Sequence, residues 1–371
     1  MPPALVNGPT VPELRTRSLP PISVDDFRDG IRHYQNANDR RDYARLDPHD
    51  TVAIADNILL HQRANGGWPE NWDPLRVLSE PERDAIRARS EALDTSFDNH
   101  ATYPQIQYLA EAFARTGDAR YRESCLNGLE FVLRAQYENG GFPHSFPSRE
   151  EYRPHITFMD AVMPGVLALL RRVSERNRPF EFVPEALRER VASALSRGEN
   201  CLLSLQLVVQ GTPTVWAGQY DEHSLRPTLG RSYELPALVS DESVFVVEYL
   251  MSIPAPSQAV TRAVDSAVAW FERSKITGIR LETVSAEPVR YKYHTSREDV
   301  RVVEDPSAPV VWARFYEIET NRPFMANRDG KKVYSLAEVE RERRTGYRWY
   351  GEFAKQLLAH DYPEWRRRLG R

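Results

Sequence analysis

The side chains with the most evident capacity for chemistry sit where the chain passes between loop and helix. Asp98 and Asn99 follow Phe97 at the start of an apolar-periodic stretch. There, a carboxylate and an amide oxygen can accept the free N–H groups of a helix N-terminus, and a plain cap is the simplest reading. Asp160 opens a second strongly apolar stretch. Arg231 and Glu234 fall in a weakly patterned segment, Thr212 to Val239, of the kind that often carries functional groups; a salt bridge between them is the structural reading. Arg314 lies in an apolar run with Glu317 and Glu319 as candidate ion partners. Trp68 and Phe142 end helical segments, where an aromatic either stacks on a ligand or seals the core. His155 can bond a substrate, orient a ligand or be a satisfied structural histidine.

These residues need helices to hold them. Tyr103, Ile106, Leu109, Ala110 and Phe113 recur at three-and-four spacing, and Tyr121, Cys125, Leu129, Phe131, Val132 and Ala135 repeat it after the Thr116-Gly117-Asp118 turn. An antiparallel helix pair follows from that pattern. The return helix runs into Gln136-Tyr137-Glu138-Asn139-Gly140-Gly141-Phe142-Pro143, and Gln62-Arg63-Ala64-Asn65-Gly66-Gly67-Trp68-Pro69 has the same skeleton. Gln206 to Trp216 reads as a degenerate third copy. Repeated hairpins with Gly-rich exits would gather those exits on one face of a helical ring, where they line a cleft.

Further helices are expected at 23–34, from 51 to the first Gly-Gly loop, and at 80–92, 160–173, 183–207, 241–252 and 257–275. Pro164 and Gly165 are expected to bend the one at 160–173. Alternation over 279–311 predicts a small sheet or flap, and two more helices are expected at 336–345 and 347–360. The Pro-rich residues 1–22 read as an extended arm, with 23–371 as one domain.

The 371 residues carry a formal charge of −4, which speaks against general nucleic-acid binding. Cys125 and Cys201 fall in apolar stretches and read as buried thiols. Neither a signal peptide nor a membrane span is evident in the sequence.

Seven blocks, in order, resemble the polysaccharide lyase family 10 pectate lyases over about residues 53–358. They are Asn65-Gly66-Gly67-Trp68-Pro69, Asp98-Asn99-His100-Ala101-Thr102-Tyr103, Asn139-Gly140-Gly141-Phe142-Pro143, His155-Ile156-Thr157-Phe158 with Asp160, Arg231-Ser232-Tyr233-Glu234-Leu235-Pro236, Trp312-Ala313-Arg314-Phe315-Tyr316 and Arg328-Asp329-Gly330. The resemblance implies a mainly α, (α/α)-toroid fold and calcium-assisted β-elimination of polygalacturonate to 4,5-unsaturated oligogalacturonates. It implies Ca2+ as cofactor on Asp98, Asn99 and Asp160, Arg231 as the base that takes the C5 proton, and Arg314, Arg328, His155 and Trp68 as substrate contacts. A monomer without nucleic-acid or membrane partners, secreted or periplasmic, is expected with it.

The chain also departs from the family pattern. Glu70 stands where a lysine is usual, His100 replaces a small residue, and Thr157-Phe158-Met159-Asp160-Ala161 replaces Thr-Phe-Asn-Asp-Asp. Two other readings stay open: a carbohydrate-binding relative without catalysis, and a hydrolase using two carboxylates such as Asp221 and Glu70.

Overall fold

The computed structural model describes residues 20–370. The expected arm lies mostly outside them; Pro20 is docked, its carbonyl accepting from Arg115 Nη1 at 2.6 Å, and Ile22 is buried. The main helices are α1 (Arg28–Asn38), α2 (Thr51–His61), α3 (Glu80–Arg87), α4 (Tyr103–Thr116), α5 (Ala119–Ala135), α6 (Val162–Ser174), α7 (Glu185–Ser204), α8 (Ser240–Ser252) and α9 (Gln258–Arg273). They form an (α/α) toroid. Helix α4 packs on α5, α6 on α7 and α8 on α9, while α2, α4, α6 and α8 touch in succession as the inner layer and α5, α7 and α9 follow outside.

Local chemistry accounts for the boundaries. Gly117 takes φ 72° to end α4, and Asp118 then caps α5 by accepting the Arg120 N–H at 2.9 Å. Ser79 and Glu82 form a capping box on α3. Pro164 does not bend its helix: it falls in the first turn of α6, where the missing N–H has no intrahelical partner to lose.

The repeat is visible as repeated hydrogen bonds. Gln62 Nε2 donates to Gly66 O (2.8 Å) and Ser124 O (2.9 Å), and Gln136 Nε2 to Gly140 O (3.1 Å) and Ala194 O (2.8 Å). Gln206 Nε2 does the same with Thr214 O and Ala263 O, both at 2.9 Å, so the degenerate copy is a structural one. The aromatics are anchors. The indole N–H groups of Trp68, Trp216 and Trp312 donate to Ile58 O, Leu202 O and Phe271 O at 2.7, 2.8 and 2.9 Å, which makes Trp312 a fourth member that the Gly-Gly pattern did not reveal.

Residues 279–311 contain the expected flap, an antiparallel hairpin of Ile279–Arg290 and Thr295–Glu304. Asp299 ties it to the C-terminal segment through both carboxylate oxygens on Arg344, at 2.6 and 2.7 Å. At its tip Arg290 donates to Asn36 O and Ala37 O of α1, both at 3.3 Å. The C-terminal helices differ from expectation. Residues 336–345 divide into a 3-10 turn, Leu336–Glu338, and α10 (Arg341–Gly346). Tyr350–Gly351 pairs as a strand with Trp312–Ala313, so of the helix expected at 347–360 only the end is helical, the π-helical turn Leu357–Asp361, which runs straight into α11 (Tyr362–Arg368).

Candidate active site

Three short segments, two just before an inner helix and the third entering the first turn of α8, carry the acids. Each is clamped between carbonyls of two repeat loops. The N–H of Ser96 donates to Trp68 O (2.9 Å) and that of Phe97 to His144 O (2.9 Å); Thr157 and Phe158 donate to Phe142 O (3.0 Å) and Gly218 O (2.8 Å); Val239 and Ser240 donate to Trp216 O and Arg314 O (both 2.9 Å). The next residues of each segment are therefore equivalent by position: Asp98-Asn99, Met159-Asp160 and Asp241-Glu242. Asn99 and Asp160 share a left-handed backbone, φ 50° for both, with His100 (φ 58°) and Ala161 (φ 56°) following in the same region. Such conformations are strained for non-glycine residues and concentrate at functional sites.

Asp98 is buried, and its Oδ2 accepts from Arg231 Nη2 at 3.1 Å across 133 residues of sequence. Its Oδ1 has no hydrogen-bond partner, nor has Asn99 Oδ1, whose amide nitrogen donates to Asn71 Oδ1 at 2.9 Å. Burial and the neighbouring Asp160 carboxylate push the Asp98 carboxyl well above its ordinary range. Burial also opposes ionisation of Asp160, but Arg231 and the Asp98 carboxyl outweigh it and hold that group down to about 2. Two crowded carboxyls and two unpartnered buried oxygens are donor types that fit a hard cation such as calcium.

Arg231 also donates Nη1 to Glu234 Oε1 (3.2 Å), and its backbone N–H to Glu234 Oε2 (2.8 Å); Tyr347 Oη holds the same carboxylate at 2.9 Å. Burial disfavours the guanidinium charge, yet Glu234 and Asp98 raise its proton affinity well above the usual value. In this state Arg231 is a counter-ion.

Arg314 does not pair with Glu317 or Glu319. Its Nη2 meets Asp241 Oδ2 and Glu242 Oε1, the latter at 3.1 Å, and its guanidinium lies 4.4 Å from the Tyr347 ring centre. Arg328 makes a two-pronged pair with Glu342 at 2.9 and 3.0 Å. Both arginines, His155, Asn99, Asp160 and Arg231 line one cleft of about 1690 Å³. His155 Nδ1 is 3.1 Å from Glu222 Oε2, which fixes the ring. Trp68 stands apart from these: it is fully buried, with no face open to a sugar, and Phe142 is likewise core.

The sequence shows Asp241 and Glu242 only as the opening residues of the helix expected at 241–252 and does not single out His144 or Tyr347. The missing signal was register. Glu70, His144, Gly218 and Arg314 each stand two residues after a repeat aromatic, and that position faces the acids. Asp221, by contrast, spends its carboxylate on the His223 and Ser224 N–H groups and is not part of the cleft lining.

Among described residues no helix is long and apolar enough to cross a membrane. The family model described as pectic acid lyase matches residues 62–358. The chain is similar to a solved family 10 polysaccharide lyase from Cellvibrio cellulosa, with TM-score 0.70, 26% identity, and coverage of 92% of this chain and 98% of that one. It is equally similar to a point mutant of the Cellvibrio cellulosa lyase solved with trigalacturonic acid, TM-score 0.70 and 26% identity, covering 93% and 99%. A comparison with curated protein sequences gave no match.

Proposed function

Because the chain belongs to the pectic acid lyase family, and so is a polysaccharide lyase, we propose that it cleaves polygalacturonate by calcium-assisted β-elimination. The observation that carries the reading is the meeting of Arg231 with Asp98 beside the unpartnered oxygens of Asp98 and Asn99. Asp98, Asn99 and Asp160 would hold the calcium, which when bound neutralises these acids and draws charge from the uronate carboxylate, making the C5 proton more acidic.

Arg231 is the proposed base. In the elimination the C5–H bond breaks, its electron pair forms the C4–C5 double bond, and the C4 oxygen leaves with the C4–O bond electrons and takes a proton from water. A guanidinium accepts the C5 proton only when neutral, so its ion pairs with Asp98 and Glu234 must be relaxed before it can act. Glu234, held by Tyr347, keeps the Arg231 main chain and fork in place. Arg328, which lines the cleft and is partly exposed, can exchange Glu342 for a substrate carboxylate in the same two-pronged geometry. Arg314 is the second proposed grip on the chain of uronates, with His155 beside it. The polymer lies outside cells, and the proposed location follows it: secreted or periplasmic.

Ultraviolet absorbance of the conjugated product tests this. With polygalacturonate, absorbance rises with calcium, is flat with chelator, and is lost by about a thousandfold or more in Arg231→Ala. A folded protein that gives a flat trace with calcium present overturns the lyase reading in favour of a binding relative.

A further inference from the structure

Glu70 and His144 take no part in the calcium set, yet both point at Asp98 from the equivalent place in two repeat loops. Glu70 follows Trp68-Pro69, and His144 follows Phe142-Pro143. One donor atom from each of Glu70, Asp98 and His144 lies within 4.8 Å of the other two. One ion at about 2.0–2.2 Å from each donor is reached from there by small side-chain rotations. The imidazole is the informative member. Its side chain is 5% exposed, and Nε2 is 2.9 Å from Asp98 Oδ2 but without hydrogen-bond geometry, so this buried nitrogen has no partner. Nδ1 is 2.8 Å from Ser145 Oγ, which in turn is 3.1 Å from Ser96 Oγ. Donation from Nδ1–H to Ser145 leaves the Nε2 lone pair facing the two carboxylates, the arrangement that outer hydrogen bonds impose on metal-binding histidines. Ser96 Oγ also lies 3.1 Å from Glu70 Oε2 and fixes that carboxylate from the same network.

We propose that Glu70, Asp98 and His144 form a second cation position beside the calcium set, sharing Asp98 with it, and that it takes a first-row divalent transition metal. One imidazole and two carboxylates suit Mn2+ or Zn2+ better than an all-oxygen calcium shell does. The proposal concerns metal binding and does not depend on the elimination chemistry.

Mn2+ added to the full-length protein provides the test, read by electron paramagnetic resonance with spin-echo detection of directly bound nitrogen. The expected result is bound Mn2+ with nitrogen modulation. His144→Gln loses the modulation with circular dichroism unchanged, and Glu70→Gln keeps it while weakening Mn2+ binding about tenfold or more. Absence of Mn2+ binding up to millimolar concentration, bound Mn2+ without nitrogen modulation in the unsubstituted protein, or modulation that survives His144→Gln each overturns the proposal. Should His144→Gln not fold, the unsubstituted spectrum and Glu70→Gln still decide. Since no step reads lyase activity, an inactive protein with nitrogen-bound Mn2+ separates this inference from the function above.

Discussion

Asp98, Asp241 and Glu242 are buried acids whose pKa values all stand above the ordinary range. Burial is the main cause, aided at Asp98 by Asp160 and at Glu242 by Asp241, and only partly offset by the arginines. In the unfolded chain they ionise at ordinary values. Their contribution to stability is therefore full below the usual carboxylate range and is lost as pH rises through the higher folded values. Asp160, held low, works in the opposite sense, and so do the buried His33, His61 and His144, which burial keeps below the ordinary histidine range and which therefore favour the fold as pH rises through it. The charge argument is accordingly read from the calcium increment in melting temperature, which should be larger at about pH 8 than at about pH 5; a site filled at about 100 times its Kd adds about 2.7 kcal/mol. Asp98→Asn should raise the melting temperature in chelator at the higher pH and remove the calcium increment. Thermal unfolding followed by circular dichroism checks both, and a calcium increment that is larger at the lower pH would contradict the charge argument. At this scale Asp98 and Asp160 were legible in the sequence through their family blocks, whereas Asp241 and Glu242 lie in none of those blocks. The encounter of Asp98 with Arg231 was not legible, because local pattern carries nothing about contacts 133 residues apart.

The Gly-Gly loops supply the clamps on the acid segments, and their tolerance to change should differ from that of an ordinary helix end. Gly117 and Gly140 both have positive φ, 72° and 93°, but a Cβ at Gly117 meets nothing within 4 Å while one at Gly140 would stand 2.2 Å from Arg197 O. Gly117→Ala should cost about 1 kcal/mol, the backbone term alone. Gly140→Ala adds a clash with a main-chain carbonyl that has no rotamer to escape into, and should exceed about 3 kcal/mol. Urea unfolding of the two variants measures the difference, and equal costs would mean the loop can shift as a unit. The helices and the first two loops were legible because their spacing, caps and Gly pairs are local signals. The third was legible only as a degenerate copy, Gln206 to Trp216, which lacks the Gly pair but keeps its hydrogen bonds, and the fourth, at Trp312, is revealed by its indole hydrogen bond alone. For the same reason Tyr350 is not legible as a strand residue, since its partners at Trp312–Ala313 are remote in sequence, while the end of the helix expected at 347–360 is present.

In the whole molecule, the hairpin of residues 279–304 links the end of the chain to its beginning. It lines the cleft with Leu281, Thr283 and Tyr293 and touches α1 through Arg290. Exposed contacts of this kind hold weakly. Arg290→Ala should therefore speed hydrogen exchange in the hairpin tip, leave α4 and α6 protected as before, and change the melting temperature little; protection lost across α1 as well would show that the two elements open together. The toroid also explains how the site diversifies. In each repeat the aromatic is fastened by its own hydrogen bonds or by core packing, while the residue two places on is tied to the scaffold by its main chain, through its carbonyl at His144, Gly218 and Arg314 alike and through its N–H as well at His144 and Arg314. The side chain there is thus a free variable on a fixed mount, now a carboxylate, an imidazole, a hydrogen atom and a guanidinium in the four copies. New reactivity in this architecture can be tried one mount at a time, with the ring that holds the mounts left untouched.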